Sequence, residues 1–92
     1  MRILDFEWDE GNAFHLELGH GITLDEAEEV FANRPVFRRT KKKHYAAFGP
    51  TSAGRYLTVV FELKYKGIAR VITGWDMKRS EIQFYRRNRG RK

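Results

Sequence analysis

One carboxylate, Glu81, stands among Met77, Ile82, Phe84 and Tyr85 near the end of the chain. At about 100° per residue, Phe84, Met77 and Asn88 fall on one flank of Glu81, and Tyr85 and Ile82 on the other. An acid therefore occupies the middle of the apolar face of the helix that this segment predicts. A carboxylate taken out of water without a partner is costly, so Glu81 must meet a cation, collect hydrogen bonds or hold its proton to higher pH. Arg70, on the strand just before, is the expected partner. Two readings stay open. The pair fixes how the helix docks on the sheet, or Glu81 and Tyr85, one turn apart on one face, belong to a site at the rim of the helix–sheet seam.

A second candidate is His20, held between Gly19 and Gly21. Its unperturbed pKa near ~6.5 suits an acid or base, while the structural alternative is a loop histidine that ties to the first strand. His15 and His44 show no partner spacing. Three scattered histidines and no cysteine give no spaced ligand set, and Asp25, Glu26, Glu28 and Glu29 read as the polar face of a helix, so no metal and no cofactor are expected. No Ser or Cys nucleophile and no Walker-type loop is indicated. Trp8 and Trp75 can stack nucleobases, or serve as core or interface beside strand ends.

Lysine and arginine total 18 against 12 acids, a formal net charge of +6 that suits polyanions such as RNA. Most acids precede residue 30, whereas Arg38, Arg39, Lys41, Lys42 and Lys43 and the tail from Arg86 to Lys92 are basic. Those five residues, with Arg86 and Arg87, are the expected RNA-binding set; the alternative is a group of solvated faces and a frayed tail. With 92 residues, 41% hydrophobic and 14% aromatic, the chain describes one small domain over residues 1–87 and a basic tail over 88–92. The absence of cysteine and of an N-terminal apolar run predicts a soluble, cytoplasmic protein with no membrane span.

These residues need elements to hold them. Residues 2–8 alternate as a half-buried strand, with Leu4, Phe6 and Trp8 on one side. Asp9 offers an N-cap to a short helix through about residue 18, closed by Gly19 and Gly21. Thr23 and Glu26 form a capping-box pattern ahead of a stripe of Leu24, Ala27, Val30 and Phe31, and Pro35 stops that helix. Period-two patterning then predicts strands at 36–39, 44–49, 55–65 and 68–75, with the third at the centre and a hairpin through Gly67. Asp76 is the expected cap of the last helix. The fold class is α+β: an antiparallel sheet with N-terminal helices and a C-terminal helix packed on it.

Phe6 to Glu10, His20 to Phe31, Gly54 to Phe61, Arg70 to Thr73 and Arg79 to Tyr85 together resemble the BrnT family of type II toxin–antitoxin toxins, from Phe6 to about Arg87. The resemblance implies a RelE-like fold, a metal-independent endoribonuclease that halts translation, and a partner antitoxin of the BrnA type with a ribbon-helix-helix domain. Two basic positions depart. The family commonly has Lys or Arg where Gly19 stands, and Ala-Arg where Gly74-Trp75 stands. If that arginine helps to cut RNA, this chain is a weaker nuclease, uses a neighbouring cation, or is a non-catalytic RNA- or protein-binding module. Such cleavage uses the ribose 2′-hydroxyl as nucleophile and needs a proton acceptor, a cationic cradle and a donor. On the resemblance, Glu81 is a candidate base, Arg70 and Arg79 would hold phosphate, Tyr85 would stack or donate, and His20 would act as acid or base.

Overall fold

The computed structural model describes residues 1–41 and 43–90. In chain order it runs β1 (Asp5–Glu7), α1 (Glu10–His20), α2 (Leu24–Ala32), β2 (Val36–Lys41), β3 (His44–Pro50), β4 (Tyr56–Lys64), one 3-10 turn (Tyr65–Gly67), β5 (Ile68–Asp76) and α3 (Arg79–Asn88). The strands form a single five-stranded sheet in the order β1-β5-β4-β3-β2, with β4 at its centre. The α+β class holds, and β2 to β5 are antiparallel as expected. One edge departs from that pattern: β1 runs parallel to β5, pairing Glu7 with Arg70, so the sheet is mixed. The physical reason is connectivity. No hairpin joins β1 to β5, because α1, α2 and three strands intervene, and nothing forces an antiparallel return.

Local signals explain most boundaries. The Asp9 carboxylate accepts from the Asn12 N–H at 3.1 Å and Asn12 Oδ1 accepts from the Asp9 N–H at 2.8 Å, which starts α1. That helix runs past Leu18. Gly19 lies inside it, and only Gly21, at φ 65°, takes the left-handed cap. Thr23 and Glu26 cap α2 reciprocally, as the pattern predicts. Asp76, by contrast, does not cap α3: it ends β5, and the cap position is Lys78. A lysine side chain has no acceptor, so the cap is one-sided, with Glu81 reaching back to accept from the Lys78 N–H at 2.9 Å. The N-terminal alternation also breaks, since Leu4 is 64% exposed while Ile3 packs inward.

The sheet buries both faces unequally. On one, α1 and α2 bring Leu16, Ile22, Ala27 and Val30 onto Leu57, Val59, Phe61 and Val71, with the Phe31 ring edge-on to Phe6 and Phe61. On the other, α3 sets Ile82, Phe84 and Tyr85, with Met77 from the link before it, against Ala46, Phe48 and Tyr56. The α3 cluster draws its sheet residues from β2, β3 and the start of β4. A bulge in β5 pairs Val60 with Thr73 but Phe61 with Val71, leaving Ile72 as the extra residue. Arg70 and Trp75 consequently share the α3 face, and the β4–β5 half of that face, including Val60, Glu62 and Arg70, is half-buried rather than covered.

Candidate functional site

Glu81 projects toward the sheet, as the helical wheel predicts, but Arg70 is not its partner. Its Oε1 accepts from the buried Thr58 hydroxyl at 3.0 Å, from the Trp75 indole N–H at 3.0 Å and from the Lys78 N–H at 2.9 Å. Oε2 takes a second, longer contact with the indole at 3.3 Å. Among the described residues Glu81 forms no ion pair. Neutral donors satisfy the carboxylate, and they bind α3, β4 and β5 together at one point. With Oε1 saturated, Glu81 is built to position Trp75 and the start of α3.

Arg70 is committed elsewhere. It lies on the right face but five residues before Trp75, roughly 16 Å along an extended strand. Its Nη1 pairs with Glu7, the last residue of β1, at 3.1 Å and with Asp9, the cap of α1, at 2.9 Å. Hydrogen bonding to Asp9, then to Glu7, raises the Arg70 pKa above its ordinary value. The acids respond in the opposite sense. Arg70 lowers the pKa of Asp9, and Lys64 first, then Arg70, lowers that of Glu7. The reason is the parallel register of β1, which places Glu7 opposite Arg70.

His20, at the end of α1, reaches the sheet edge and shares the Thr73 hydroxyl with a residue that showed no partner spacing. His20 Nε2 and His15 Nε2 each lie 3.1 Å from Thr73 Oγ1, and the two rings meet edge-on with centroids 5.1 Å apart. A separation of five residues is not a helical neighbour spacing. Only the strand hydroxyl that gathers both rings reveals the pair. Arg55 holds this end of the molecule in place: its Nη1 donates to Gly21 O at 2.8 Å and reaches Glu26 at 3.3 Å, while Nε donates to Asp76 at 2.8 Å. The junction after His20 is thereby tied to the end of β5. The Arg55 hydrogen bond lowers the Asp76 pKa, and Asp76 raises that of Arg55.

Tyr85 is 5% exposed, packed edge-on against Tyr56 in the α3 core, and presents no ring face for a base. The expected cations fare better. Arg79, Arg86 and Arg87 are exposed along α3, and Lys78 sits with Nζ 5.5 Å from the Trp75 ring centre. Arg38 lies over the Phe84 and Phe48 rings at 4.7 and 5.3 Å, which fixes its guanidinium beside α3. Arg39, Lys41 and Lys43 are exposed around the β2–β3 turn; Lys42, Arg91 and Lys92 lie outside the described residues. Among the described residues these cations form no ion pair. A groove of about 640 Å³ lies on the opposite layer between the N-terminus and α2, with Asp25, Glu28 and Glu29 on its lining. Those acids suit a polyanion poorly.

Among the described residues no helix is long and apolar enough to cross a membrane. No protein-family model matches the chain, and no curated protein matches it significantly. A solved structure does: the BrnT ribonuclease toxin of Brucella abortus superposes with a TM-score of 0.69 at 18% identity, over 83% of this chain and 99% of that one. The three helices and mixed five-stranded sheet described above are, in arrangement, the fold of that toxin.

Proposed function

We propose that this chain is a metal-independent endoribonuclease toxin of the BrnT kind, acting on RNA in the cytoplasm and neutralised by a ribbon-helix-helix antitoxin of the BrnA type. The observation that carries the reading is the fold shared with a ribonuclease toxin, joined to a histidine pair gathered on the Thr73 hydroxyl at the β5 edge and to the exposed cations along α3. His20 is the acid–base residue, and Lys78, Arg79, Arg86 and Arg38 form the phosphate cradle. Glu81 is a positioning residue that holds Trp75 and the first turn of α3. Arg70 braces β1, and Tyr85 anchors α3 to the sheet. The 2′-hydroxyl attacks the neighbouring phosphorus, so the protein supplies proton transfer and charge stabilisation alone.

The test is cleavage of RNA by the purified chain in excess chelator. We expect products with 2′,3′-cyclic phosphate ends, a loss of roughly 10²-fold in rate for His20→Ala, and a smaller loss for Arg79→Ala. No such product at any dose would end the enzyme reading. A second reading has its own support. Trp75 stands where the family resemblance implies arginine and gives its N–H to Glu81, and Arg70 is neutralised by two acids. On that reading the fold serves as a non-catalytic RNA- or protein-binding module, which would bind RNA in a salt-dependent way without cutting it.

A further inference from the structure

We propose that His15, Thr73 and His20 form a proton relay that supplies general base and general acid together, with His15 a second catalytic residue; this rests on the ribonuclease reading. The Thr73 hydroxyl has one proton to give and two lone pairs to receive with. Both imidazole Nε2 atoms lie 3.1 Å from that oxygen. Two bare Nε2 atoms would leave one of them without a proton. Two Nε2–H groups would leave the hydroxyl proton with no acceptor inside the cluster. The arrangement that satisfies all three groups has one ring as the Nε2–H tautomer, donating to Thr73, and the other as the Nδ1–H tautomer, accepting from Thr73. The outer nitrogens then differ in kind: one Nδ1 is a bare acceptor and the other carries a proton.

Both rings are exposed, and their centroids, 5.1 Å apart, place the two outer edges within reach of one phosphodiester. In the reaction the bare Nδ1 takes the 2′-hydroxyl proton, and that ring passes its Nε2 proton to Thr73 Oγ1. The Thr73 proton moves to the second Nε2, and the second Nδ1–H is delivered to the departing 5′-oxygen. The bond from the 2′-oxygen to phosphorus forms as the bond from phosphorus to the 5′-oxygen breaks, giving a 2′,3′-cyclic phosphate and a 5′-hydroxyl. No net charge accumulates on the protein. The rings end with exchanged tautomers, and one proton lost to water and one gained from it restore them.

The experiment reads ring tautomers by nitrogen chemical shifts of the neutral histidines in the free, full-length protein, alongside RNA cleavage. The expected result is opposite tautomers for His15 and His20, loss of that opposition in Thr73→Val with a fall of roughly 10²-fold in cleavage, and recovery of both in Thr73→Ser. His15→Gln is expected to reduce cleavage while leaving the protein folded. The same tautomer in both rings, or Thr73→Val retaining full cleavage, overturns the relay even if the protein cuts RNA. Opposite tautomers in a protein that cuts no RNA would overturn the ribonuclease reading and the catalytic use of the relay with it.

Discussion

Trp75 and Thr58 supply the donors that an arginine was expected to supply to Glu81. Hydrogen bonds to a carboxylate contribute more than neutral ones, about 1.5–3 kcal/mol when both groups are sheltered. Because Glu81 and Trp75 are half-buried, Trp75→Phe is expected to lower stability by about 1–2 kcal/mol, read as a lower urea midpoint with an unchanged slope. Trp75→Arg tests the departure from the family pattern directly. It should fold, pair with Glu81 and bind RNA more tightly, with binding measured at fixed salt. The place of Glu81 on the apolar face was legible from helical spacing alone. Its partners were not, because they depend on the β5 bulge, which turns Trp75 toward α3, and on the register of β1, which captures Arg70.

At the scale of elements, what was readable came from local chemistry. The Thr23–Glu26 box and the turn at Gly67 need only neighbours in sequence, and each stands where the pattern places it, whereas Tyr65, expected at the end of the 55–65 strand, falls in the 3-10 turn and is exposed. The parallel β1 edge, the His15–His20 pair and the role of Arg55 each join residues more than 20 apart or gathered by a third residue, and no local signal encodes them. Gly74 shows how such packing constrains a single position. A Cβ there would stand 3.0 Å from Thr58 O, 3.3 Å from Leu16 Cδ1 and 3.4 Å from Ile22 Cδ1. Gly74→Ala is therefore expected to destabilise by about 1–3 kcal/mol through crowding between α1 and the sheet, seen as a lower melting temperature. Arg55→Ala should cost about 1–2 kcal/mol, the Asp76 contact being discounted because that side chain is 66% exposed. It should also shift the His20 and Thr73 signals in nuclear magnetic resonance spectra.

For the whole molecule, acid sensitivity follows from three carboxylates. Asp9 and Glu7 beside Arg70, and Asp76 beside Arg55, have folded pKa values below their ordinary ones. Their contribution is fully present above the unfolded values, roughly pH 4–4.5, and is lost as pH falls through the lower folded values. Melting temperature should drop below about pH 4.5, and Arg70→Ala should make that drop shallower. The opposite side of the sheet ends in β2, an edge strand bearing Arg38, Arg39 and Lys41, all exposed. Like charges along an open strand discourage a second copy from adding its own strand there. The side chains suited to phosphate thus also act as a guard against self-association. Raising the ionic strength should weaken that guard, and light scattering would register the resulting growth in particle size.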